Sequence, residues 1–316
     1  MHASLFSAKR RGFFLAVFFF LTITLVSAQE GQKPVIFCSY NLKNWLQMQR
    51  SFGAEEQPPI PKPDKEKTKV IEFISTIQPD ILGVCEIGTL NDLKELQSRL
   101  KDVGIDLPHL EHSRGADLTR SLGLLSRYPI TARKSQSRLH YQIGAQTLPM
   151  QRGILDVTVR LNDDLEVRFL GVHFKSKRAI PEADESLMRR NEAHLLREHL
   201  DQIFQYEPTA KVVCYGDFNE HRNEPSISEI IGSRARPGHM ADLHIKDAQG
   251  QSWTHFWDIA DIYARLDYFF LSSDLRPYIN QKASYIHSAP DFDKASDHRP
   301  IVLTINPVKK SSRRQK

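Results

Sequence analysis

Short polar clusters, placed where apolar runs end, constrain this chain more than any other feature. There are seven: Ser39-Tyr40-Asn41-Leu42, Val84-Cys85-Glu86, Leu124-Leu125-Ser126-Arg127-Tyr128-Pro129, Gly171-Val172-His173-Phe174, Gly216-Asp217-Phe218-Asn219, Arg265-Leu266-Asp267-Tyr268 and Ser296-Asp297-His298-Arg299-Pro300. Five of them close an apolar run. Strands that end in Asn, Glu, Asp or His set oxygen and imidazole groups on the rim of a sheet, where acid–base or metal chemistry can be assembled.

Periodicity between the clusters predicts strands at Ile81–Glu86, Leu122–Leu125, Ile154–Arg160, Val167–His173, Val212–Tyr215, Leu266–Leu271 and Ile301–Ile305. Helices are predicted over residues 64–78, with Val70, Phe73, Ile74 and Ile77 inward, and after Asn91 as a cap, with Leu93, Leu96, Leu100 and Val103 inward. A long helix from Glu182 to about Phe204 would bury Leu187, Leu195, Leu196 and Ile203. Pro58, Pro59, Pro61 and Pro63 mark an irregular segment. Strands dominate, and two packed sheets with helices outside account for the pattern. His194 and His199 are five residues apart, so they do not share a helix face as an H-E-x-x-H metal pair must, and a solvated face is expected there.

Lys9-Arg10-Arg11, the apolar stretch from Phe13 to Val26 and the small residues Val26-Ser27-Ala28 read as a signal peptide covering residues 1–28. The product would be secreted or periplasmic, with no integral membrane span, and a monomer is expected. A folded domain over residues 29–308 and a basic disordered tail over 309–316 complete the reading. The net charge of +5 belongs to the ends: without Lys9, Arg10, Arg11 and the five tail cations, residues 29–308 carry −3. The body is therefore not a strongly basic nucleic-acid binder by composition. Cys38, Cys85 and Cys214 each stand an odd number of residues before the polar group ending their run, which predicts buried free thiols facing away from the catalytic side.

Asp217 and Asn219 alternate across Phe218, so both face one way and can hold a hard cation, or a phosphate and its attacking water. Asp267 interrupts an apolar strand, where an unpaired carboxylate is costly, and a histidine such as His298 is its natural partner in a general-base pair. Glu86 poses the same problem, which a metal ion solves; Asn41 offers a neutral amide beside it, and His173 is a second imidazole.

In this order the clusters resemble the endonuclease/exonuclease/phosphatase superfamily, the deoxyribonuclease I-like group, in its secreted bacterial form. The resemblance spans residues 34–305. It implies a four-layer α/β/β/α sandwich of two mainly antiparallel or mixed sheets, with the site at the top of both. It implies Mg²⁺ as cofactor, with Mn²⁺ or Ca²⁺ as alternatives, held by Glu86, Asn41 and Asp297. His173 would stabilise phosphoryl oxygens or protonate the leaving oxygen, Asp217 and Asn219 would orient water and phosphate, and Asp267 with His298 would form the base. Some branches place a Tyr or Glu where Thr119 stands; the partner of His173 is then unassigned, with Asp117 a candidate, and Arg120 reads as a loop arginine.

The implied activity is a metal-dependent phosphodiesterase, a nuclease. A sphingomyelinase-type phospholipase C or a phosphomonoesterase is the alternative on the same scaffold, with Phe52 and Ile60 as apolar docking residues. A binding protein on a dead scaffold is disfavoured, because the polar positions are filled. Lys175, Lys177 and Arg189 are expected to line an anionic-substrate groove, and two of Trp45, Trp253 and Trp257 to fill the core.

Overall fold

The computed structural model describes residues 33–50, 58–235 and 237–308. The leader, the tail and Phe52 lie outside the described residues. The elements run β1 (Val35–Trp45), α1 (Asp64–Ile77), β2 (Ile81–Ile87), α2 (Leu90–Asp102), β3 (His109–Ser113), β4 (Ser121–Ser126), β5 (Ile130–Arg133), β6 (His140–Ile143), β7 (Gln146–Pro149), β8 (Leu155–Asn162), β9 (Leu165–His173), α3 (Glu185–Tyr206), β10 (Val212–Asp217), α4 (Pro225–Ile231), β11 (Met240–Asp242), β12 (His255–Trp257), β13 (Ile262–Ala264), β14 (Asp267–Ser272), β15 (Tyr285–Ile286) and β16 (Ile301–Ile305).

Two six-stranded sheets form, ordered β15-β16-β1-β2-β4-β3 and β11-β14-β10-β9-β8-β5. Each contains one parallel pair, β1 with β2 and β9 with β10, joined by α1 and α3 as crossover helices; their other pairings are antiparallel. Between the sheets lies an apolar layer that includes Phe37, Phe169, Tyr215 and Phe269, with the Phe37 ring 4.9 Å from Phe169 and 4.8 Å from Tyr215. A Cβ on Gly83 would stand 2.2 Å from the Tyr215 ring, so the close approach of the sheets requires glycine there. A second apolar cluster joins the first sheet to α1 and α2, and a third joins the other sheet to α3 and α4. The layers are therefore α/β/β/α, as expected from the sequence.

Some local expectations fail for identifiable reasons. Thr89, not Asn91, caps α2: its hydroxyl accepts from the Asp92 amide while the Asp92 carboxylate accepts from Thr89. Leu187 is 40% exposed, because α3 begins after the Asp184 cap and buries the stripe Met188, Ala193, Leu196, Leu200 and Ile203 instead. Val103 is exposed as the residue ending α2. His199 turns inward and bonds Asp156 at 2.7 Å, while His194 stays at the surface with Glu229. All three cysteines are free and buried, but Cys85 lies in the layer between the sheets, its thiol donating to Val172 O at 3.5 Å. Strand parity breaks there because the register shifts at Glu86, whose φ is +60°.

Candidate active site

The carboxyl ends of the two parallel pairs point to the same rim. Asn41 comes from β1, Glu86 from β2, His173 from β9 and Asp217 from β10. Ligands gather at such strand ends in α/β sheets. The antiparallel neighbours complete the set, with Asp267 opening β14 and His298 just before β16.

The two sheets meet at one carboxylate. Asn41 Nδ2 donates to Asp217 Oδ2 at 3.1 Å, and the same oxygen stands 3.5 Å from His298 Nε2 and 3.6 Å from His173 Nε2. Asp217 Oδ1 accepts from the Asn219 amide at 2.9 Å, and Asn219 Nδ2 donates to Phe174 O at 3.0 Å, across a left-handed backbone at Asn219 (φ +51°). His298 Nδ1 is 2.8 Å from Asp267 Oδ2. Thr254, fully buried, accepts from the Asp267 and Leu266 amides and so fixes the start of β14. Ser296 donates to Asn41 O at 2.7 Å and accepts from the His298 amide, tying the last loop to the first strand.

Electrostatics divide the two imidazoles. Burial opposes charge on His298, but Asp267 and Asp217 overcome it and raise the group to about 10. Asp217 is pushed up to about 7 by burial and by Asp267 and Glu86, against the His298 charge. His173 is held neutral: burial lowers it well below 6.5, and Arg152, His298 and Arg120 act the same way. Its Nδ1 is buried without a hydrogen-bond partner among the described residues. Asp117 is not its partner; that carboxylate accepts from Thr119 and Arg120 and lies 3.5 Å from Arg152. Arg152, largely buried beside this imidazole, is a site neighbour that no spacing in the sequence marks out.

A pH effect follows. His298 is raised in the folded chain, so its stabilising contribution is complete below 6.5 and is lost as pH climbs towards about 10. Metal-free protein should melt at progressively lower temperature from pH 7 upward, below the thiol range near ~8.5. His298→Ala should flatten that limb; an unchanged slope in a thermal-melt series would contradict the charged Asp267–His298 pair.

Oxygen donors for a cation cluster here. Glu86, half-buried, accepts from the Asn44 amide at 2.9 Å and stands 3.8 Å from the neutral His173, so no cationic side chain balances it among the described residues. That uncompensated carboxylate fits a hard divalent ion, with Asn41 beside it as an amide donor. Asp297 is half-buried next to His298, near Ser296 Oγ at 3.4 Å. Asp217, Asp267 and His298 also bring ligand atoms within 4.8 Å of one another and could hold an ion. The His298 proton and its bond to Asp267 compete with that use, which favours the Glu86 side.

The expected cationic groove is not assembled. Lys175 Nζ is tied to Ser176 O and Arg178 O, Arg189 Nε is buried against Glu220 at 2.9 Å, and Lys177 Nζ pairs with Glu220 at 2.7 Å. Glu220 pairs with two of these cations and loop carbonyls hold the third, so none is as free as it looked in the sequence. Trp45 is core, Trp253 packs under Arg299, Tyr263 and Phe292, and Trp257 is exposed.

Comparison with known proteins agrees with this fold. The model of the Endonuclease/Exonuclease/phosphatase family matches residues 62–248, a span that includes Glu86, His173, Asp217 and Asn219. No curated protein sequence matches the chain. Truncated Caenorhabditis elegans TDP2 is 17% identical with a TM-score of 0.57, covering 86% of this chain and 98% of that one. Sphingomyelinase C from Streptomyces griseocarneus is 15% identical with a TM-score of 0.56, over 87% and 100%. The human nocturnin catalytic domain is 16% identical with a TM-score of 0.57, over 86% and 93%. At these identities the likeness is one of fold. With the family model spanning more than half its length, and its site at the shared rim of two sheets, the chain belongs to the endonuclease/exonuclease/phosphatase family of phosphoester hydrolases, enzymes that generally use a divalent metal.

Proposed function

We propose that the protein is an exported, monomeric, divalent-metal-dependent phosphodiesterase that cleaves nucleic acid. One observation carries the hydrolytic reading: a buried Asp267–His298 pair aimed at Asp217, with the unbalanced carboxylate of Glu86 across the same rim. Asp217 orients the attacking water, Asn219 helps to seat the phosphate, and His298, held by Asp267, accepts the water's proton when its imidazole is neutral. Neutral His173 donates a hydrogen bond to a phosphoryl oxygen. Glu86, Asn41 and Asp297 would hold the metal. A divalent cation there, Mg²⁺ in the first instance, would supply charge to the phosphoryl oxygens and weaken the carboxylates' hold on the His298 proton.

A lipid phosphodiester is the second reading, favoured by one feature. The β12–β13 hairpin, whose base pairs His255 with His298, exposes Trp257, Ile259, Ile262 and Tyr263, at 49%, 85%, 47% and 53%. Ile60 is also exposed, at 49%. Purified protein should be assayed on plasmid DNA, RNA, sphingomyelin and a phosphomonoester, with Mg²⁺ and with chelator. Metal-dependent cleavage of DNA or RNA is expected. Release of phosphocholine from sphingomyelin, with both nucleic acids untouched, would replace the nuclease reading with the lipid one. Intact mass after export should place the mature N-terminus at Gln29; a retained leader would contradict export by a cleaved signal.

A further inference from the structure

We propose that the cleft between the kinked end of β1 and helix α1 is a second anion subsite, taking a substrate phosphate beyond the one at the reacting centre. The proposal rests on the phosphodiesterase reading above and names the polyanion, a nucleic-acid strand, that the enzyme would hold.

The cleft encloses about 420 Å³ and presents five cationic side chains against the acids Glu66 and Asp293. Lys43, Lys65 and Lys294 make no ion pair among the described residues, whereas Lys69 is taken by Glu72 and Asp291. Glu66 is itself claimed by the buried Lys62 at 3.0 Å. The lining is therefore net cationic after its internal pairs are formed. On the His173 side, by contrast, Lys177 and Arg189 both pair with Glu220.

Two residues of the cleft wall, Lys43 and Asn44, are bonded to residues of the reacting centre. Lys43 follows the site residue Asn41 by two positions, and the Asn44 amide donates to Glu86.

The kink is built rather than incidental. Lys43 and Asn44 both adopt left-handed backbone, at φ +45° and +62°, which non-glycine residues rarely do in succession. Four side chains hold them there: Asn41 accepts from the Lys43 amide, Lys62 donates to Lys43 O, Arg50 donates to Asn44 O and Glu86 accepts from the Asn44 amide. Strain maintained in this way is characteristic of ligand clamps. One donor of the lining, Arg50 Nε, is buried without a hydrogen-bond partner among the described residues. Guanidinium and ammonium donors around such a cleft match phosphate oxygens.

The test compares the full chain with Lys65→Ala/Lys294→Ala and with a charge-matched control, Lys101→Ala/Lys282→Ala, at exposed positions elsewhere. Substrates are a short single-stranded DNA oligonucleotide and bis(p-nitrophenyl) phosphate, a diester with one phosphate. For the cleft variant, KM for the oligonucleotide should rise roughly tenfold, and the salt slope of log kcat/KM should fall by about one for each lysine removed. Oligonucleotide kcat, and kcat/KM for the small diester, should change less than about twofold. Equal behaviour of cleft variant and control, or equal losses on both substrates, would overturn the subsite. If the wild type cleaves the small diester but no nucleic acid, the nuclease reading fails separately. The oligonucleotide's inhibition constant then decides: one that depends on Lys65 and Lys294 keeps the subsite, and no inhibition removes it.

Discussion

Replacing His298 with alanine should lower kcat by about 10²–10⁴-fold, the usual loss when a general base is removed. The imidazole is buried between Asp267 at 2.8 Å and Asp217 at 3.5 Å, and it is raised to about 10 by them against its own burial. The histidine is the cation that both buried carboxylates share. Asp267→Asn should also lose activity, because the asparagine can neither charge the imidazole nor fix its tautomer. The double variant should fall well short of the product of the two losses, since the pair acts as a unit. Far-UV circular dichroism should show a folded chain in each case. A His298→Ala protein that keeps more than about half of wild-type kcat would remove the base from this residue.

Glu220→Ala should lower the stability of the fold markedly. Its carboxylate receives Arg189 Nε at 2.9 Å and Lys177 Nζ at 2.7 Å, and the Arg189 side chain is only 3% exposed. Deleting the acid strands a buried guanidinium, which costs about 3–5 kcal/mol. In a domain of this size that corresponds to a fall of roughly 10 °C in melting temperature. Glu220→Gln should lose less, because its amide oxygen still accepts from Arg189. Unchanged melting of Glu220→Ala would mean that these cations are not committed to Glu220, and the substrate groove first expected on that side would return.

The fold was legible because its signals are local. Apolar runs set the strands, and Ile301–Ile305 is a strand at the bounds that its five residues suggest. Strand parity also put Asp217 on the face opposite Cys214, and there it meets Asn41 across the sheets. Two things were hidden, both for reasons of distance or geometry. The bulge at Glu86 breaks the two-residue alternation within a single run, so Cys85 turned out to lie between the sheets. The fate of the cations was invisible because their partners are distant in sequence. Arg189 and Glu220 are 31 residues apart, and Lys177 and Glu220 are 43 apart. A run such as His173-Phe174-Lys175-Ser176-Lys177-Arg178 declares charge but not its partners, whereas Lys43 and Lys294, outside any basic run, make no ion pair among the described residues.

The pairing of β16 with β1 carries a consequence for the order in which the molecule becomes competent. Val35 pairs with Ile305 and Ser39 with Ile301, so the first strand waits for the last described one. His298 and the Ser296 tie to Asn41 arrive with that same final stretch. A chain emerging from its N-terminus thus carries Asn41, Glu86, His173, Asp217 and Asp267 before Ser296 and His298 can reach them. Hydrolytic competence is therefore a late event in biogenesis, gated by the closing of a non-local sheet, which is intrinsically slow. On refolding from denaturant, regain of activity should accordingly trail regain of helical signal, and a chain truncated before Ser296 should be inert however much of its second sheet it forms.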